Sequence, residues 1–108
     1  MSYNIHITKT AERDLNSAVD YIEFVLKNPT AAGHLLDVAE EEINNLSEFP
    51  ESRALIDDPV LKAWGIRFVT VNNYIAFYII EDDIIHIIRF IYEKRDWITI
   101  LKSGYMLD

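Results

Sequence analysis

A chain of 108 residues, half of them apolar, is long enough for one domain and too short for two. Eighteen acidic residues against ten basic ones give a net charge of -8, which excludes a nonspecific electrostatic grip on nucleic acid or anionic lipid. The absence of cysteine excludes disulfides, thiol nucleophiles and thiolate metal sites, and no apolar run of about 18 residues is present to span a bilayer. The opening Met-Ser-Tyr-Asn-Ile-His-Ile lacks the basic start and long apolar run of a signal peptide, so a cytoplasmic protein is expected. The expected organisation is a single domain over residues 1–108.

Apolar and polar residues alternate from Tyr3 to Thr8, which predicts a short strand with Tyr3, Ile5 and Ile7 on one side. Thr10 follows as a helix cap, with Glu12 and Asp14 in the first turn, where the helix dipole favours acids. Ala11, Leu15, Ala18, Val19, Ile22 and Leu26 form one apolar stripe, and Phe24 points away from it. Asn28-Pro29 ends this helix and opens the next, because asparagine caps well and proline suits the first helical position. The second stripe is Ala32, Leu35, Leu36, Ala39, Ile43 and Leu46, stopping near Pro50. So short a connection predicts an antiparallel helical hairpin.

Residues Glu51 to Lys62 contain Asp57-Asp58-Pro59 and read as a surface loop. Three strand-like runs follow: Trp64 to Val71, Tyr74 to Ile80 and Ile84 to Tyr92. Asn72-Asn73 joins the first two, since asparagine tolerates the positive φ of a tight hairpin, and Glu81-Asp82-Asp83 joins the second pair. Asp96 caps a last short helix through Leu101. The order β-α-α-β-β-β(-α) predicts an α+β fold: a helical hairpin packed on one face of a small, mostly antiparallel four-stranded sheet.

The predicted sheet is apolar on both sides. In the last strand, alternation puts Ile84, His86, Ile88, Phe90 and Tyr92 on one face and Ile85, Ile87, Arg89 and Ile91 on the other. The middle strand divides into Tyr74, Ala76 and Tyr78 against Ile75, Phe77 and Ile79. Two helices cover one face only. The tail (Tyr105, Met106, Leu107) is short and the long loop is polar, so another chain is expected to shelter part of the second face.

Charge is unevenly placed. Met1 to Lys62 holds twelve acids and five bases, whereas Ala63 to Asp108 holds six acids and five bases. Glu40-Glu41-Glu42 reads as a solvated helix face. His6, His34 and His86 are scattered, and His34 with Asp37 is too little for a metal, so no metal site or cofactor is expected. There is no Gly-rich phosphate loop and no Gly-x-Ser-x-Gly elbow. The group with chemical potential is Arg67, Arg89, Lys94, Arg95 and Asp96, with Tyr74, Tyr78 and Tyr92 near it in sequence. Arginines on a sheet can clamp phosphates or carboxylates, or they can pair with local acids.

Several pieces in order resemble the RelE/ParE superfamily of type II toxin–antitoxin toxins, the plasmid stabilisation proteins. They are Thr10-Ala11-Glu12-Arg13-Asp14-Leu15, Asn28-Pro29 with Ala32, Leu46 through Pro50, Gly65-Ile66-Arg67, Asn73-Tyr74 with Phe77-Tyr78, and Ile88-Arg89 leading to Lys94-Arg95-Asp96-Trp97. The resemblance runs from Tyr3 to Leu101. It implies a toxin neutralised by an antitoxin that wraps it, docking on helices and sheet. Phe24, Arg67, Arg89, Lys94, Arg95 and Trp97 are then the expected contacts with partner or target. A homodimer is expected when the antitoxin is absent.

RelE-like members cut mRNA on the ribosome, whereas ParE-like members poison DNA gyrase. A nuclease needs a general base, a general acid and cations at the phosphate. Arg67 and Arg95 match basic positions of the nuclease pattern, and Tyr92 could stand in for its tyrosine. Val69, Ile75 and Leu101 occupy places where that pattern has functional groups. The ParE-like reading, a non-nuclease with a protein target, is therefore preferred. A ribosome-dependent mRNA endonuclease and a non-toxic antitoxin-binding module are the alternatives.

Overall fold

The computed structural model describes residues 2–108; Met1, the first residue of the predicted domain, lies outside them. Four strands, β1 (Asn4–Ile7), β2 (Arg67–Val71), β3 (Tyr74–Glu81) and β4 (Ile84–Tyr92), form one sheet in the order β1-β4-β3-β2. β2, β3 and β4 make an antiparallel meander, and β1 lies parallel to β4. Four α-helices accompany them: α1 (Lys9–Asp20), α2 (Pro29–Asn45), α3 (Pro59–Ala63) and α4 (Trp97–Lys102). The predicted α+β order is the observed one. Among the described residues no helix is long and apolar enough to cross a membrane.

The parallel pairing of β1 with β4 is stitched by Thr8, which is fully buried. Its hydroxyl donates to the Ile87 carbonyl at 2.8 Å and accepts the Ala11 N–H at 3.2 Å. Thr8, not Thr10, is therefore the cap of α1, two residues earlier than predicted. Asn28 caps α2 through the Ala31 N–H, with Pro29 in the first turn, as the sequence indicated. Asp82 and Asp83 both adopt positive φ (51° and 62°), the backbone of a two-residue hairpin turn.

Two cores result. The first lies between the hairpin and the sheet and holds Ala11, Ala18, Leu35, Ala39, Ile43 and Leu46 against Val69, Val71, Ala76, Tyr78, Ile85, Ile87 and Phe90. The second lies on the opposite face and holds Ile56, Leu61, Ile66, Ile75, Phe77, Ile79, Ile88, Ile91 and Leu101, with Phe68, Trp97, Ile100 and Tyr105 packed against them. The expectation that another chain shelters the second face is thus overturned. The supposed surface loop supplies α3 and the C-terminal segment supplies α4, and Leu61 of the one and Leu101 of the other are fully buried there.

An ion pair of 3.0 Å between Lys102 and Asp58 ties α4 to the cap of α3. Lys102 and the Leu61 and Val60 N–H groups hold the Asp58 carboxyl below the usual carboxylate range. A carboxyl lowered in the folded state stabilises fully above its unfolded pKa, and that stabilisation disappears as pH falls through the lower folded value. Asp58→Asn preserves the cap, since asparagine caps as well as aspartate. Its stability deficit is expected to be present at pH 6 and to shrink toward pH 3, read from urea midpoints of the two proteins.

The strict alternation assumed for β4 fails at one point. Phe77 pairs with Arg89 but Tyr78 pairs with Ile87, so Ile88 is an extra residue, a β-bulge. It moves Phe90 to the hairpin side and leaves Ile88 and Ile91 together on the other. The middle strand divides as predicted. The bulge also brings Arg89 to Asp14 of α1, as described below.

Candidate functional site

α1 does not run on into the predicted stripe. It widens into a π-turn over Tyr21–Val25, closed by the Leu26 N–H on the Tyr21 carbonyl at 3.0 Å. The extra residue carries Leu26 off the buried stripe, leaving it 56% exposed. Phe24 points outward as expected and is 67% exposed. Leu36 of α2 also lies at the rim of the core rather than inside it.

The displaced turn faces the far end of the sheet across an open groove of about 490 Å³. Tyr21, Ile22 and Leu26 line one wall, and Asn73, Tyr74 and Tyr92 line the other. Tyr74 and Tyr92 are paired across β3 and β4 with ring centroids 5.5 Å apart, and Tyr74 stacks on Phe90 at 5.1 Å. A second hollow shares Tyr74 and Tyr92 and continues past Asp14, Ser17, Ala18 and Phe90 to Arg95. The result is one aromatic trough with a guanidinium at its end. Burial pushes the Tyr74 phenol above its ordinary pKa, with Tyr92 and Tyr21 adding to the shift.

The predicted cationic group is dispersed. Arg89 donates to Asp14 through Nε at 2.6 Å and Nη2 at 3.1 Å, and the same carboxylate accepts the Phe90 N–H at 3.1 Å. Asp14 thereby closes the edge of β4 where β1 has ended. Arg67 donates Nη1 to the Arg53 carbonyl at 2.6 Å and the Glu51 carbonyl at 3.3 Å. Beside it the Tyr78 hydroxyl donates to the Pro50 carbonyl at 2.7 Å, and burial pushes that phenol up to about 12. Arg67 and Tyr78 therefore pin the turn at Pro50–Ser52 to the sheet.

Arg67 pairs with Tyr78 on the hairpin side, whereas Arg89 pairs with Phe77 of the opposite cluster. The two guanidinia are held by different partners, Arg67 by the carbonyls of Glu51 and Arg53 and Arg89 by Asp14 of α1, and do not form one site. Nor do Arg67 and Arg95 converge. Arg67 and Val71 occupy opposite ends of β2, with Val71 beside Tyr74; that is on the order of 13 Å along the strand. β4 lies two strand spacings, about 10 Å, from β2. Lys94 and Arg95 are exposed and, among the described residues, have no ion-pair partner. Trp97 is half-buried and packs on Phe77 at 5.3 Å, as part of the second core.

One pair was missed entirely. His6 and His86, read as scattered, are register partners across the parallel β1–β4 pairing, with their Nδ1 atoms 2.8 Å apart. Only knowledge of strand order could have joined them. Among the described residues no three His, Asp or Glu side chains gather as a metal site requires.

The class these features define is a small sheet-and-hairpin protein whose accessible feature is an open aromatic trough. The chain matches the family described as ParE toxin of type II toxin-antitoxin system, parDE, over residues 5–97, and it belongs to that family. A solved structure described as a chromosomal ParDE TA system from P. aeruginosa matches with a TM-score of 0.70 and 21% identity, over 84% of this chain and 96% of that one. At that identity the likeness is one of fold. No curated protein matches.

Proposed function

We propose that this ParE-family toxin poisons a protein target, DNA gyrase first among candidates, and that a cognate antitoxin holds it inactive in the cytoplasm. One observation carries the choice of binding over cleavage: Arg67 stands apart from Tyr92 and Arg95, the other groups a nuclease would use. Arg67 is engaged by loop carbonyls, roughly 13 Å along the strand from the trough that holds Tyr92 and Arg95. Attack by a 2′-hydroxyl needs base, acid and cations on a single phosphate. The Tyr78 phenol, pushed up to about 12 by burial, is a hydrogen-bond donor at neutral pH and not a base.

What is left accessible suits a protein surface. Aromatic side chains with an adjacent arginine are the residues that dominate protein–protein binding energy. Tyr21, Phe24, Tyr92 and Arg95 fit that composition, and Lys94 extends it. Of the contacts expected from sequence, Phe24, Lys94 and Arg95 are free to meet a partner, whereas Arg67, Arg89 and Trp97 act first within the fold.

The test is supercoiling by purified gyrase with increasing amounts of this chain. Loss of supercoiling with accumulation of cleaved DNA is expected; full activity at large excess contradicts the proposal. The ribosomal nuclease reading has one observation in its favour, that Tyr92 and Arg95 line a common hollow. Mapping of mRNA 5′ ends on translating ribosomes separates it, with no new ends expected. Normal growth on induction without an antitoxin would leave only the non-toxic antitoxin-binding module.

A further inference from the structure

His6 and His86 lie outside the trough and serve no step of the proposed function. They are register partners across β1 and β4, and His86 is paired on its other side with Ile79 of the second core. His86 is buried and His6 half-buried. The ring centres are 5.0 Å apart with planes at 88°, and the two Nδ1 atoms approach to 2.8 Å, so the rings meet tip to tip and do not stack. Two ring nitrogens this close need one hydrogen between them: one ring donates from Nδ1, and the other, with its hydrogen on Nε2, accepts. We propose that this pair is an acid-sensitive clasp on β1, which stays closed with one added proton and parts when both rings are protonated, releasing the strand from β4.

The proton count follows from the contact. A first added proton goes to Nε2 of the donor ring, and the resulting imidazolium keeps its hydrogen bond to the neutral partner. A second must go to the accepting Nδ1, and two N–H groups of like charge then face each other across 2.8 Å. In the unfolded chain both imidazoles take up protons freely near about pH 6.5. Below that region the unfolded chain therefore binds one proton more than the closed clasp. Stability is full above it and declines as pH falls, by up to about tenfold in the folding constant per pH unit.

Neighbouring charge does not hold the doubly protonated pair together. Among the described residues neither ring has a carboxylate at ion-pair distance. β3 ends in Glu81, the next turn carries Asp82 and Asp83, and α1 opens with Lys9 and Glu12, all exposed to water. The segments over the second core bring Lys62, Tyr105, Asp108 and the Asp58–Lys102 pair, in which each charge already has its partner. Arg89, further along β4, is held by Asp14. β1 is also lightly anchored: it has four residues and only β4 beside it, with the Asn4 N–H on the Asp83 carbonyl at one end and the Thr8 N–H on the Ile87 carbonyl at the other. Short edge elements open at lower cost than the core. The inference rests on this strand pairing and stands or falls separately from the toxin reading.

The experiment is urea unfolding of the full chain as a function of pH, with His6→Gln as the test variant and His34→Gln, at an exposed position on α2, as the control. The glutamine amide offers His86 a neutral partner that takes no proton, so His6→Gln lacks the second protonation. From about pH 7.5 to about pH 5 the folding constants of the wild type and His34→Gln should each fall roughly 30-fold more than that of His6→Gln. Two measurements on the wild type stand even if His6→Gln does not fold. Imidazole ¹⁵N spectra at about pH 7.5 should show His6 and His86 as opposite tautomers, one protonated at Nδ1 and the other at Nε2. Amide exchange, corrected for intrinsic rates, should show the β1 amides losing at least about tenfold in protection between pH 7 and pH 5 beyond any loss at Phe77 and Tyr78. Identical tautomers in the two rings overturn the proposal. So does a wild type whose pH dependence matches that of His6→Gln, or a β1 that stays as protected as β3.

Discussion

Phe77→Ala is expected to lower stability by about 3–5 kcal/mol, the largest single loss in this protein. Phe77 is fully buried at the centre of β3, among Ile75, Ile79, Ile88 and Ile91 and against the Trp97 ring at 5.3 Å. Truncation to alanine removes the transfer energy of the ring and leaves a cavity that a sheet cannot collapse to fill. For a domain of this size a loss of 1 kcal/mol lowers the melting temperature by roughly 4–8 °C, so a fall of at least about 12 °C should appear in a calorimetric scan. The same substitution asks which chain covers this face. If α3 and α4 do, the loss is present in the isolated protein. A near-neutral effect there would restore the view that the second face awaits another polypeptide.

Asp14→Ala should cost about 2–3 kcal/mol, second only to the loss of a core aromatic. The carboxylate satisfies three donors at once, Arg89 Nε, Arg89 Nη2 and the Phe90 N–H, in a site where both side chains are largely buried. Its removal strands a guanidinium and opens the edge of β4 to solvent or to another strand. A double-mutant cycle with Arg89→Met isolates the pair. If the partner were merely decorative, the two single losses would add; the expected coupling is about 1 kcal/mol or more. Urea unfolding of the four proteins measures it.

Particular residues show how much of this was legible beforehand. The element order, the Asn28-Pro29 hinge and the cap at Asp96 rest on local chemistry, and local chemistry is what a sequence displays. The bulge at Ile88 is invisible locally, because a run of β-branched residues reads the same with or without one extra. That one residue decided which face Phe90 occupies. The second face was misjudged because Ile56 and Leu61 sit in a stretch read as a polar loop, too short to show a helical stripe, and because the docking of the short C-terminal helix through Ile100 and Leu101 is a long-range contact. The aromatic trough was out of reach for the same kind of reason. Tyr74 and Tyr92 become neighbours only through register, and Leu26 joins them only because the chain makes a π-turn.

The arginines teach a related lesson. Their residue type suggested a common cationic site, but type does not reveal what each guanidinium already holds. Arg89 is engaged by Asp14 and Arg67 by backbone carbonyls, which leaves Arg95 as the arginine at the trough. Structure thus divides a uniform set into two positioning residues and one available contact.

The trough ending at Arg95 is expected to do the harm, with Arg67 only supporting the fold. Growth after induction of the toxin without an antitoxin, at matched soluble levels, tests it with two variants. Wild type and Arg67→Met are expected to arrest growth, whereas Arg95→Glu, an exposed charge reversal, should restore it. Arrest by Arg95→Glu with normal growth in Arg67→Met, or no arrest by the wild-type chain, would contradict the account.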